Sequence, residues 1–213
     1  MLRNLFLVGL VVLVFWGIGY FWLTADQGSA GTAFMPEGHF RTFHPADVPP
    51  ERAESFYGNL RRTMADGYSE AAEPSARNYQ AWQRFNSAPY LSSTHGDRFV
   101  NNYGNALAAD YGAALPGKPM PAGAILAKDA FAVTDEGTVF AQSLFLMEKL
   151  GQGRGPEFAD WRYVMITAAG EIYGDSMDPD TAAKVTFCHD CHKDVADQDY
   201  LFHVPEPFRV PSR

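Results

Sequence analysis

From residue 5 to residue 23 the chain is uncharged and almost wholly apolar, nineteen positions rich in Leu, Val, Phe and Trp. Wound as a helix at about 1.5 Å per residue, the run reaches roughly 28 Å, close to the hydrocarbon thickness of a bilayer. It predicts one transmembrane helix within residues 1–24. Arg3 is the only charge ahead of it, so the N-terminus stays in the cytoplasm and the rest crosses. A cleaved signal peptide competes, because Gly28-Ser29-Ala30 puts small residues near a possible cut, although a signal's apolar core is usually about 7–15 residues long. Both readings export the remainder. For a bacterial chain the first is a single-pass inner-membrane protein with its C-terminal domain in the periplasm.

Residues 25–50, punctuated by Gly28, Gly31, Pro36, Gly38, Pro45, Pro49 and Pro50, read as a linker, leaving 51–213 as the folded domain. Ala53, Phe56, Tyr57, Leu60 and Met64 then recur at three and four, which predicts a helix from residue 50 to about 68. Tyr79, Trp82 and Phe85 repeat the signal over 75–85. The period next shortens: 122–133, 138–149, 161–167 and 171–174 are short aromatic or β-branched segments, separated by turns such as Asp135-Glu136-Gly137 and Ala168-Ala169-Gly170. Connections that short join only antiparallel strands. The expected fold class is α+β: N-terminal helices, an antiparallel β-sheet and a C-terminal segment that carries the chemistry.

Composition narrows the partners. With 25 acidic and 17 basic residues the net charge is −8, which excludes a generic nucleic-acid binder, since that needs a basic surface. The two cysteines, Cys188 and Cys191, are too close in sequence to tie distant parts of the fold together.

Those cysteines sit in Phe187-Cys188-His189-Asp190-Cys191-His192, a C-x-x-C-H sequence, the attachment motif of a c-type haem. On a helical turn Cys188, Cys191 and His192 stand at i, i+3 and i+4, so two thiols and one imidazole face the same way. The thiols are placed to bond the haem vinyl groups and His192 to ligate the iron, with Thr186 as a candidate cap of that turn. A zinc site would have to be wrapped within five residues, whereas structural zinc draws its second ligand pair from further along the chain. An iron–sulfur cluster needs four thiolates. A dithiol redox pair is expected after the first strand of a βαβ unit, not near a C-terminus. One covalent haem c is the cofactor this predicts.

The chain around the motif resembles the cytochrome P-460 family, which includes the beta-type c-prime cytochromes. The likeness covers roughly residues 116–202 through Pro121-Ala122-Gly123-Ala124-Ile125-Leu126-Ala127-Lys128-Asp129, Phe145-Leu146-Met147-Glu148-Lys149, Asp160-Trp161-Arg162-Tyr163, the haem motif itself and Asp199-Tyr200-Leu201-Phe202. The resemblance implies a sheet-rich haem protein, commonly a homodimer, with His192 as proximal ligand, an open distal side, and hydroxylamine or nitric oxide as substrate or gas ligand. It places Lys128 where family members bond a lysine to the porphyrin edge; solvent, Asp129 or a haem propionate are the other destinations for that ammonium. Glu148 is the candidate distal carboxylate, with Lys149 or Arg154 as its ordinary partners. Phe131, Phe140, Phe145 and Phe187 are the alternative, an apolar distal wall suited to gas binding.

Within Ser93-Thr94-His95-Gly96-Asp97-Arg98-Phe99-Val100-Asn101-Asn102-Tyr103, Arg98 is a candidate clamp for haem propionates and His95 a candidate sixth ligand, against the plainer account of a satisfied polar loop. The second class of function is a six-coordinate electron carrier serving a redox partner protein, with Met147, Met165, Met177 or His203 completing the iron.

Overall fold

The structure is a computed structural model that describes residues 45–113 and 118–210; the anchor expected over 1–24 and most of the linker over 25–50 lie outside the described residues. Helix α1 spans Pro50–Ser69, with Pro50 at its first turn, where a missing N–H costs nothing, and Glu51 beside the positive helix end. Ala53, Tyr57, Met64 and Tyr68 form its buried stripe. Among the described residues no helix is long and apolar enough to cross a membrane.

Strands β1 (Gln83–Arg84), β2 (Tyr90–Ser92), β3 (Arg98–Gly104), β4 (Ile125–Val133), β5 (Val139–Lys149), β6 (Trp161–Ile166) and β7 (Ile172–Asp175) make one antiparallel sheet. The order is β1-β3-β4-β5-β6-β7, with β2 also on β3. The four segments expected to be strands are β4 to β7, so the α+β expectation holds for the sheet. Helix α2 (Thr186–His192) follows it and carries the C-x-x-C-H motif.

The helix expected over 75–85 is instead two tight turns, Pro74–Arg77 and Tyr79–Ala81, running into β1. The Glu73 carboxylate accepts from Ser75 N at 3.1 Å, and Tyr79 reaches inward to donate to Asp129 at 2.9 Å. Those two anchors outweigh the helical spacing. The polar stretch 93–103 is not a loop but a turn, Ser93–His95, followed by β3, which lies inside the sheet and is buried along its whole length. Its asparagines are tolerated because each is satisfied: Asn101 donates to Asp129 at 2.9 Å, and Asn102 accepts from Tyr90 at 3.1 Å.

The two faces of the sheet have different work. Phe99, Tyr103, Ala127, Phe131, Leu144, Leu146, Val164 and Ile166 pack with the α1 stripe in the main core. Within it Asp129, fully buried, accepts from Tyr57 at 2.8 Å as well as from Tyr79 and Asn101. Gly67 lets α1 close on the β6–β7 turn: a Cβ there would stand 2.2 Å from the Ala168 carbonyl oxygen. Gly170, at φ +84°, makes that turn possible. The opposite face of the sheet meets α2.

Candidate functional site

Cross-strand register explains which side chains leave the core face. Asn102, Lys128, Phe145 and Met165 are successive partners across β3 to β6, and Leu126, Met147 and Tyr163 form the next row. Residues directly opposite share a face. Together with α2 and residues 201–202 this face encloses a cavity of about 500 Å³, within the range of small-molecule and cofactor sites. Leu126, Phe145, Leu201 and Phe202 give it apolar walls, and Lys128, Cys188, Cys191 and His192 line it together. The cluster expected from sequence is thus assembled from β4 and α2, some 60 residues apart in the chain.

His192 is the most constrained member. Its Nδ1 lies 2.6 Å from the Tyr200 carbonyl oxygen. A carbonyl only accepts, so Nδ1 carries the proton and Nε2 the lone pair, the tautomer an iron ligand needs. Tyr163 and Phe202 pack edge-on to the ring at 5.7 and 5.2 Å. Cys188 and Cys191 are unbridged thiols. Burial pushes the Cys188 thiol up to about 12 and raises Cys191 as well. A reactive dithiol pair needs lowered values, so the redox-pair reading loses its chemistry. Among the described residues no group of three His, Cys, Asp or Glu side chains is placed to hold a metal ion. Thr186 does not cap α2: its hydroxyl turns back to the Ala182 carbonyl at 3.3 Å.

Lys128 is half-buried and faces the cavity, while its chain neighbour Asp129 faces the core, so the two do not pair. Burial lowers its ammonium to about 8, opposed only in part by the nearby Cys191. Among the described residues it makes no hydrogen bond or ion pair.

The remaining candidates divide. Glu148 is not in the cavity wall. The alternation that turns Phe145 and Met147 inward turns it out, where Arg162 Nη1 holds it at 3.1 Å. That guanidinium also binds Glu73 and Asp175, at 2.9 and 2.6 Å. Arg98 is likewise outside the wall. It sits on β3 opposite Ser92, almost fully buried, with its guanidinium lowered by desolvation, so the propionate clamp is not assembled around it.

His95 does line the cavity, with Nδ1 3.0 Å from the Ser92 hydroxyl and its ring edge-on to Phe145 at 5.1 Å. Met147 lines it too, whereas Met165, the exposed Met177 and His203, which stacks on Tyr111, do not. Of the four phenylalanines, Phe145 and Phe187 are in the wall, Phe131 is in the core and Phe140 is exposed. Sequence reasoning placed Asn102 in the polar stretch 93–103 but gave it no role; it donates to Tyr111, whose hydroxyl in turn donates to the Phe202 carbonyl at 2.8 Å. Sequence reasoning missed the Tyr200 carbonyl, which no side-chain pattern reveals.

The residues fit a covalent haem: two thiols, one correctly protonated imidazole and an apolar cavity of adequate volume converge. The family model for cytochrome P-460 matches residues 76–203. No curated protein matches the chain. The match spans more than half of the sequence, so the chain belongs to the cytochrome P-460 family and is a cytochrome with covalently attached haem c.

Proposed function

We propose that this member of the cytochrome P-460 family binds hydroxylamine or nitric oxide at an open haem face and oxidises the former, as an exported protein tethered by its N-terminal segment. Lys128 is the observation that carries the reading. A partnerless ammonium in an apolar cavity is costly, and a simple electron carrier has no use for it. Bound haem supplies an iron that takes up the ligand and accepts its electrons.

The chain's own residues do the rest. Cys188 and Cys191 hold the cofactor, and His192, its Nδ1 proton held by Tyr200, ligates the iron. Lys128 is the residue for a bond to the porphyrin edge, in which its neutral amine would replace a ring C–H, both hydrogens leaving as protons and the two electrons passing to an oxidant of the peroxide class. With its ammonium at about 8, one side chain in roughly ten is the nucleophilic amine at pH 7, about 300-fold the share of an ordinary lysine. His95, in the wall where Glu148 is not, is the imidazole placed to exchange a proton with a ligand.

Met147 and His95, both in the wall, also favour a second reading, a six-coordinate carrier passing electrons to a redox partner. An optical spectrum of the reduced protein with and without carbon monoxide or nitric oxide separates the two. Shifts with both gases support the first; a low-spin spectrum indifferent to both sinks it. The tether is tested by washing membranes at high salt and alkaline pH, which leaves an inserted helix in place; release by salt alone refutes it. The homodimer that family resemblance suggests is read by sedimentation of the exported domain.

A further inference from the structure

We propose that the ion pair of Lys149 with Asp199 is a positioning device for His192: it holds the turn that presents the Tyr200 carbonyl, and so sets how strongly this histidine donates to iron. The inference rests on His192 being the haem ligand. Asp199 and Tyr200 both lie in the left-handed region, at φ 53° and 64°, although neither is glycine. Two such residues in succession persist only where their surroundings over-determine them.

The surroundings here do so. Lys149 Nζ, at the end of β5, donates to Asp199 Oδ1 at 2.6 Å, and both side chains are nearly buried. The other carboxylate oxygen accepts from Met120 N at 2.7 Å, and the Asp199 carbonyl accepts from the indole of fully buried Trp161 at 3.0 Å. The ammonium also lies 4.7 Å over the Trp161 ring. Tyr200 is fixed in turn by its N–H to the Val195 carbonyl at 3.0 Å and by stacking on His189 at 5.4 Å. With the Asp199 carboxylate, the Asp199 carbonyl and the Tyr200 N–H all engaged, the turn presents the Tyr200 carbonyl to Nδ1.

A stronger Nδ1–H···O bond makes the imidazole more basic, strengthens its bond to iron and favours the ferric state. Loosening the turn therefore weakens the iron–histidine bond and favours the ferrous state. Lys149→Met keeps an unbranched chain over Trp161 and removes the charge. Asp199→Asn keeps an acceptor for Met120 and a side chain that tolerates left-handed backbone.

The haem-loaded protein is examined by resonance Raman for the iron–histidine stretch and by spectroelectrochemistry for the potential. Both variants are expected to lower the stretch and to shift the ferric–ferrous equilibrium toward ferrous by about threefold to tenfold, the upper figure being about 59 mV for one electron. Lys149→Arg should restore wild-type values. Should Lys149→Met fail to fold, Asp199→Asn carries the same test. Folded, haem-loaded variants with wild-type stretch and potential overturn the proposal, provided His192→Ala changes both. If His192→Ala leaves both unchanged, the ligation reading falls and takes this one with it.

Discussion

Replacing Lys128 by Met tests whether the cavity places this lysine where it prefers to be neutral. Its ammonium falls from 10.5 to about 8 because burial removes water from the charge. A lowered base binds fewer protons folded than unfolded, so its contribution to stability is unfavourable at low pH and fades as pH rises from about 8 to 10.5. That fall from 10.5 to about 8 is a penalty of about 3 kcal/mol at pH 7. By pH 9.5 the unfolded lysine is itself partly neutral and the penalty has shrunk to about 1 kcal/mol.

The assay starts with a peptide map that separates protein whose Lys128 peptide is joined to the Cys188–Cys191 haem peptide from protein in which it is not. In the unjoined form Lys128→Met should raise the urea-unfolding free energy by about 3 kcal/mol at pH 7 and by about 1 kcal/mol at pH 9.5. In the joined form there is no amine to titrate, wild-type stability carries no lysine dependence, and the variant restores an ordinary c-type spectrum. An unjoined wild type whose difference from Lys128→Met is constant between pH 7 and 9.5 would refute the burial argument.

Replacing Cys188 and Cys191 together by Ser should let acidic organic solvent extract all haem, where wild type keeps it after denaturation; clean extraction from wild type would overturn covalent attachment. Buried Tyr57, Tyr68, Tyr79, Tyr103, Tyr111 and Tyr163 all titrate well above 10, each chiefly through burial. Unfolding above pH 10 therefore releases protons, and stability should fall steadily there, as urea titrations at pH 9, 10 and 11 will read. Gly67→Ala drives a methyl into the Ala168 carbonyl. It should cost about 1–3 kcal/mol by thermal unfolding, against less than about 0.5 for Gly58→Ala, whose Cβ meets nothing.

The legible parts of this molecule were those where one local signal suffices. Strands β4 to β7 show in their short β-branched segments and turns, and α1 in its spacing, because each buries a single periodic face. The C-x-x-C-H motif reads directly because three ligating groups lie within one helical turn. Strand β3 was hidden because Asn101 and Asn102 look like loop residues until Asp129, Tyr90 and Tyr111, each on another element, satisfy them. Glu148 looked chemical because it ends an apolar strand. What decides its role is the orientation set by β5 pleating and the pull of Arg162 from β6, which a single segment does not contain. The Tyr200 carbonyl escaped for a simpler reason: a main-chain group has no letter.

One peptide bond joins the two halves of the design. Lys128 and Asp129 are consecutive on β4, so the pleat must send one to the cavity and the other to the core. Asp129 accepts from three buried donors that come from α1, the Tyr79–Ala81 turn and β3. A register slip of one residue would expose those donors and bury an ammonium among them, a cost of several unsatisfied groups at once. The polar cluster on the folding face therefore fixes the register that delivers Lys128 to the haem side. A conservative change at Asp129 should accordingly disturb cavity chemistry although it touches nothing in the cavity, and Asp129→Asn, by presenting an amide to tyrosine donors, is the variant in which stability and haem spectrum should move together.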